Sequence, residues 1–388
     1  MAAASDKARY FLEQSIPELK EFEKKGIFSP EEITRIARKR SDFEHKINAR
    51  GSTPTDFARY AEFEINVDAL RRKRVKRLGI KATAHTGKRR IFFVLDRGTR
   101  KHPGDIALWM QTIEFARKQK AYKKLQEIFT SVLRLHPTKS ELWIYAAQFA
   151  VEENGDMTEA RSYMQRGLRF CKNVRPMWVQ YGRLEMSYIA KIQARREILG
   201  IGADRPEQVP EVQDNEDLLK LPRLTAMDIN PDLEDDKIDT VALENLDATP
   251  AMTGAIPMAI YDAAMAHFGD ADIGLSFFNM ILEYDQSVTC RRITKHIIDP
   301  LLATYPTTWQ AHACYIRAPL VSVAVTDPEY PRAFKQSLTR LREAQKTSEK
   351  SKVNEWAQSW LKALIDEEGL DPGIQTVGES ILRSLTAS

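Results

Sequence analysis

The sequence predicts an all-α protein, a right-handed α-solenoid of helical hairpins behind an N-terminal helical cap. Three observations predict it. First, "HPGDIALWMQTIEFA" from His102 and "HPTKSELWIYAAQFA" from His136 share His-Pro, Trp and Phe-Ala at one offset of 34 residues. A fixed period of that size is the mark of a helical repeat array. Second, the frame returns around Phe57, Trp178 and Trp309: a large aromatic, a residue at +3, an apolar residue at +6. Third, amphipathic segments alternate with the aromatic ones, so each A helix is followed by a B helix.

The chain opens with helical segments over residues 5–50. In "SPEEITRIARKRSDFEHKI", Ser29 is an N-cap, Pro30 takes the first helical position and Glu32 completes a capping box. The next helix starts near Thr55, with "TPTDF" as its cap. It runs through Phe57, Tyr60, Ala61, Phe63, Val67 and Leu70 into "RRKRVKRLG".

Residues 88–200 carry the clearest pattern. The B helices are "RRIFFVLDRGTRKHP", "YKKLQEIFTSVLRLHP" and "MTEARSYMQRGLRFC", the first two closed by Pro103 and Pro137. A helices carry Trp109 with Thr112 and Phe115, Trp143 with Ala146 and Phe149, and Trp178 with Tyr181 and Leu184. An A helix in a stacked array touches its own B helix and the next A helix, so it needs more than one apolar stripe. The aromatic at position zero is expected to fill the gap between layers. Ala116, Ala147, Ala150 and Gly182 leave room for a neighbouring helix to approach. Phe57, Tyr60, Trp109, Phe115, Trp143, Phe149, Trp178, Tyr181 and Trp309 are the expected repeat core.

Residues 203–255 break the pattern. Fourteen acidic residues stand against four basic ones there, a balance of −10, and five prolines interrupt the segment. Such a composition predicts a disordered or extended insert. One apolar island, "LLKLPRLTAMDI", is a candidate for docking on a partner or on the array itself. Because the whole chain has a net charge of +4, the remainder carries +14. Helical pattern resumes near Ile256, and "TTWQAHACYI" places Trp309 in the frame. Near the end, Trp356 and Trp360 share one face at i, i+4. The expected organisation is an N-terminal helical domain over 1–86, repeats over 87–202, the insert over 203–255 and further hairpins with a C-terminal cap over 256–388.

At 388 residues, the chain is longer than one small core requires, and a solenoid accommodates that length by growing along one axis. No apolar run approaches the roughly 20 residues that span a bilayer. The N-terminus lacks the basic and apolar regions of a secretory signal. Cys171, Cys290 and Cys314 are scattered, which argues for a reducing compartment and against a structural zinc site.

Phosphate-cradling glycine loops and a G-x-S-x-G nucleophile elbow are absent from the sequence. No catalytic residue, cofactor site or metal site is expected, nor a small-molecule substrate or a membrane partner. The pointed feature is a basic run, Arg71, Arg72, Lys73, Arg74, Lys76 and Arg77, with Lys88, Arg89 and Arg90 close behind. Such a cluster attracts a phosphate backbone in a salt-dependent way. An acidic protein segment, a nuclear import signal or a solvated helix face would use the same residues.

Helix A reading Trp-x-x-Tyr-x-x-Leu-Glu at Trp178–Glu185, with helix B reading Ala-Arg-x-Tyr at Ala160–Tyr163, resembles half-a-TPR (HAT) repeats. The opening hundred residues sharpen the resemblance. Pro17-Glu18-Leu19, Gly26-Ile27-Phe28, Glu32-Ile33, Asp42-Phe43-Glu44 and Phe63-Glu64-Ile65-Asn66 leading into Arg71–Arg74 look like the HAT-repeat subunits of the UTP-B module of the small-subunit processome. The resemblance is specific to about residue 200. It implies a non-enzymatic scaffold in the nucleus and nucleolus, beside other UTP-B subunits including WD-propeller proteins, on pre-ribosomal RNA or small nucleolar RNA. The rival readings are a HAT scaffold of messenger RNA splicing or 3′-end processing and the α subunit of a prenyltransferase. The latter's Asn-Tyr-x-x-Trp-x-x-Arg repeats are missing.

Overall fold

The structure, a computed structural model, describes residues 2–80, 86–199, 253–284, 287, 289–347, 349–366 and 369–387. Among these the chain is helical throughout and contains no strand. It forms two compact units, Met1–Pro137 and Thr138–Ser388.

The first unit holds α1 (Ala2–Glu13), α2 (Ile16–Lys24), α3 (Pro30–Asn48), α4 (Pro54–Leu78), α5 (Thr86–Lys101), α6 (Ile106–Lys118) and α7 (Tyr122–Leu135). The Ser29 box closes as its sequence requires. Glu32 N–H donates to Ser29 Oγ at 3.3 Å, and Ser29 N–H donates to Glu32 Oε2 at 3.0 Å. Asp56 does the same for α4, accepting from Thr53 N–H and from Thr53 Oγ1, both at 2.9 Å. Phe57, Tyr60, Leu95, Leu108 and Phe115 share one core, and Phe43 stacks on Tyr60 with ring centroids 5.1 Å apart. The helices α4 with α5, α6 with α7, and α4 with α6 are in contact, as consecutive A and B helices should be.

The first unit closes after Pro137. Long-range pairs tie its opening helices to α4 and α5. Arg40 of α3 binds Glu64 of α4, Arg90 of α5 binds Glu18 of α2, and Arg97 of α5 binds Glu44 of α3.

The second unit holds α8 (Ser140–Glu152), α9 (Met157–Phe170), α10 (Arg175–Leu199), α11 (Ala255–Phe268), α12 (Ala271–Leu282), α13 (Cys290–Thr304), α14 (Trp309–Arg317), a single 3-10 turn (Ala318–Leu320), α15 (Tyr330–Thr347), α16 (Lys350–Ile365) and α17 (Pro372–Ala387). Each even-numbered helix from α8 to α16 packs on the odd-numbered one that follows, and each from α8 to α14 also packs on the next even-numbered one. Gly182 of α10 makes one such contact possible. A Cβ there would lie 2.8 Å from Met280 Cε and 3.0 Å from the Phe277 ring, both on α12. Ala147 and Ala150 are buried for the same purpose.

The expected insert, through residue 252, lies outside the described residues, and α11 begins at Ala255. The chain resumes as the B partner of α10, so the A–B order continues beyond the insert. Trp356 and Trp360 stack at 5.6 Å with planes 7° apart, on one face as their spacing predicts. No helix among the described residues is long and apolar enough to cross a membrane. All three cysteines are buried and outside any disulfide.

The repeat aromatics divide into two groups. Phe57, Tyr60, Trp109, Phe115, Trp143, Phe149 and Tyr181 are buried. Trp178 and Trp309 are half-buried. Trp178 stacks on His267 of α11 at 6.2 Å, and its Nε1 donates to the Lys172 carbonyl at 2.9 Å. Trp109 makes the same bond to the carbonyl six residues back, that of Pro103, at 2.9 Å. An indole at the start of an A helix thus caps the turn before it as well as filling space.

Candidate functional site

The basic run lies on the last two turns of α4, which ends at Leu78 and is capped by Gly79. Gly79 sits at φ +65°, a left-handed conformation that suits glycine at a helix C-terminus. Cations at this end also meet the negative pole of the helix dipole. Position around the helix then decides each side chain's fate.

Arg71 points inward and is buried. Its Nε and Nη2 donate to Asp68 Oδ1 at 3.0 and 2.8 Å. Arg74 also turns back to the protein. It donates to both carboxylate oxygens of Glu32 at 2.6 and 2.7 Å and to the Ile27 carbonyl at 3.0 Å, with its guanidinium over the Phe28 ring. The Arg74 hydrogen bonds, assisted by Ser29 N–H, hold the Glu32 carboxyl down at about 2. Arg72 pairs with Asp68 Oδ2 at 2.5 Å but keeps its outer part exposed.

Lys73, Lys76 and Arg77 are exposed and have no ion-pair partner among the described residues. Arg72 with Lys76 and Lys73 with Arg77 form two adjacent i, i+4 rows. Like charges at that spacing repel by a few tenths of a kcal/mol, a cost that a bound polyanion would relieve.

On α5, Arg89 is exposed and Lys88 is half-buried. Arg90 donates from Nε and Nη2 to Glu18 Oε2 at 3.2 and 2.9 Å. Of the nine predicted cations, Arg71, Arg74 and Arg90 therefore hold the fold together. Arg72, Lys73, Lys76, Arg77 and Arg89 form the outward-facing set. Arg71, read from the sequence as one of the candidate RNA or partner contacts, is instead buried against Asp68. Asp68, three and four residues before Arg71 and Arg72, was the available signal. The Glu32–Arg74 pair spans 42 residues and left none.

Sequence reasoning also missed the buried ion network beneath this surface. Arg40 donates to Glu64 from Nε at 2.8 Å and from Nη2 at 2.9 Å, with side chains only 2% and 3% exposed. Its Nη1 reaches Glu18 at 3.3 Å, and Glu18 also accepts from Arg90. Burial lowers the Arg40 pKa, and Glu64 more than reverses that effect. Chemically, the site offers fixed cations on a rigid helix end. Among the described residues, no three His, Cys, Asp or Glu side chains converge to hold a metal ion.

Residues 12–94, which contain most of this surface, match the family described as U3 small nucleolar RNA-associated protein 6. A Schizosaccharomyces pombe protein of that name is 38% identical over 199 residues, covering 50% of this chain and 41% of its own length. A Homo sapiens homolog is 31% identical over 190 residues, 48% of this chain and 32% of its own length. A Dictyostelium discoideum homolog is 29% identical over 187 residues, again 48% of this chain and 31% of its own length. The match thus spans about two fifths of the first relative and about a third of the others.

Proposed function

We propose that this chain is a non-catalytic scaffold of a nucleolar ribonucleoprotein that processes pre-ribosomal RNA. In this reading it is a right-handed α-solenoid of HAT hairpins in the UTP-B module of the small-subunit processome. The observation that carries the reading is the shared sequence of about 190 to 200 residues with relatives named for association with U3 small nucleolar RNA. Two structural features support it. Alternating helices touch their next-but-one neighbours within the second unit, which is how a stack of hairpins makes an extended docking face. Arg72, Lys73, Lys76, Arg77 and Arg89 face outward in the segment that matches the named family.

Function is then a matter of geometry. The hairpins hold partner subunits, WD-propeller proteins among them, at set positions, while the basic helix end contacts RNA backbone or an acidic partner. Affinity purification of the tagged chain from a nucleolar extract tests this. U3 small nucleolar RNA and processome subunits should co-purify. Recovery of splicing or 3′-end-processing components in their place would overturn the assignment.

A further inference from the structure

The second unit contains a groove of about 540 Å³ between α13 and α15, closed at one side by the loop after the 3-10 turn. Arg291, Lys295 and Asp299 line it from α13 at i, i+4 and i+8. Arg332, Gln336 and Arg340 line it from α15 at the same spacing. Two of the cations are committed. Arg291 donates to the Ser322 carbonyl at 3.1 Å, and Arg340 donates to the Tyr315 carbonyl at 2.7 Å while lying 4.0 Å over that ring. Lys295 and Arg332 are exposed and have no ion-pair partner among the described residues.

The chemistry of the groove selects its occupant. Ile298, Val321 and Val323 give it an apolar floor, which a sugar-phosphate backbone does not need. Asp299 and Glu329 in the wall repel any anion that comes close, so an occupant's acidic groups must sit at Lys295 and Arg332. A peptide that sets an aliphatic side chain between carboxylates offers the floor an apolar group and gives Lys295 and Arg332 an anion each. Residues 200–252, outside the described residues, contain such a stretch. In "DINPDLEDD", Asp228–Asp236, five carboxylates and no base surround Ile229 and Leu233.

Reach and size agree. Leu233 lies 22 residues before Ala255, where α11 begins, and α11 packs on α13, the groove's own wall. An extended chain of that length spans up to about 70 Å. Arg332 to Arg340 covers about 12 Å of helix axis, matched by about four extended residues.

We propose that the groove between α13 and α15 is the intramolecular docking site of Asp228–Asp236. Leu233 sits on the floor formed by Ile298, Val321 and Val323, and the flanking carboxylates meet Lys295 and Arg332. The acidic insert thereby neutralises part of the basic body of its own chain. This contact is independent of the assembly role proposed above, and its failure would leave that role standing.

Zero-length carbodiimide cross-linking of the full chain, followed by peptide mapping of the monomer, tests the proposal. Lys295 should join a carboxylate within 228–236 in clear excess over the exposed Lys352 in the same unit. Arg332→Glu should lower that yield about fivefold, the effect of one groove-edge ion pair. Leu233→Ser, a change outside every described helix, should lower it as well. Lys295 joined only to Asp299 or Glu329, labelling equal to Lys352, or a product confined to dimers would each overturn the proposal. Binding of a single-stranded RNA oligonucleotide that is lost in Arg332→Glu but indifferent to deletion of 226–239 would reassign the groove to RNA.

Discussion

Glu64 and Glu185 each follow the position-zero aromatic by seven residues, after Phe57 and Trp178. Each is buried, and each is gripped by an arginine 24 residues earlier. Arg161 holds Glu185 through Nε and Nη2 at 2.8 Å each, just as Arg40 holds Glu64. The frame marked these glutamates, but a helical period cannot name a counter-ion on another helix. A buried carboxylate deprived of its partner, or a guanidinium deprived of its carboxylate, costs about 3–5 kcal/mol. Glu64→Ala should therefore lower the unfolding free energy by about that much in urea titration. Replacing both members, Arg40→Met with Glu64→Leu, should recover most of the loss. Glu185→Ala should cost less, because the Arg161 side chain is 28% exposed and can rehydrate.

The caps give a prediction at the same scale. Glu32 and Asp56 are both held at about 2, against ordinary values of 4.5 and 3.8. Hydrogen bonds from Arg74 depress the first, and Thr53 N–H and Lys46 depress the second. Both are depressed in the folded state, so their contribution is complete above pH about 4.5 and lost as pH falls toward 2. Thermal melts between pH 5 and 2 should show the midpoint falling across that window. The fall should be shallower in Glu32→Gln, and a parallel profile would discount the Arg74 clamp.

At the scale of the element, α4 shows what a run of like charge conceals. Consecutive letters "RRKR" look alike, yet one turn of helix distributes them between the interior and the surface. Arg72, Lys73, Lys76 and Arg77 changed together to Glu should leave stability nearly intact, at under about 0.5 kcal/mol per site. RNA affinity at low salt should fall at least tenfold, and the slope of log K against log salt should shrink by about 0.7 for each phosphate contact removed. Arg74→Glu should instead destabilise the chain by separating α4 from Glu32. Filter binding at two salt concentrations, paired with a denaturation curve for each variant, distinguishes the outcomes.

The A helices were legible for the same reason that α4 was partly opaque. Their apolar period is local and repeated, so positions, caps and small residues could be read in order. Burial of a given indole depends on what arrives from elsewhere. Trp143 is enclosed, whereas Trp178 meets His267 and Phe268, which follow the 55 residues that separate α10 from α11. Trp143→Ala should cost about 3–5 kcal/mol and Trp178→Ala clearly less, as measured by urea midpoints. Equal losses would mean that both indoles fill comparable space.

For the molecule as a whole, the helical class and the A–B alternation were present in the 34-residue period. The ion pairs that bridge 24 to 72 residues within the first unit were not. The groove between α13 and α15 was hidden similarly: its two walls are about 40 residues apart and neither carries a recognisable motif. Charge was readable only as a total. The structure shows which cations serve as internal rivets and which face outward.

The matched arginine–glutamate spans carry one more consequence. Arg40–Glu64 and Arg161–Glu185 enclose the same number of residues, each with a tight turn inside. Adding a single residue there would swing the carboxylate about 100° around its helix and carry it out of its arginine's reach. Substitutions within these intervals can be absorbed, but changes of length cannot. Natural variation in length should accumulate elsewhere, above all between α10 and α11.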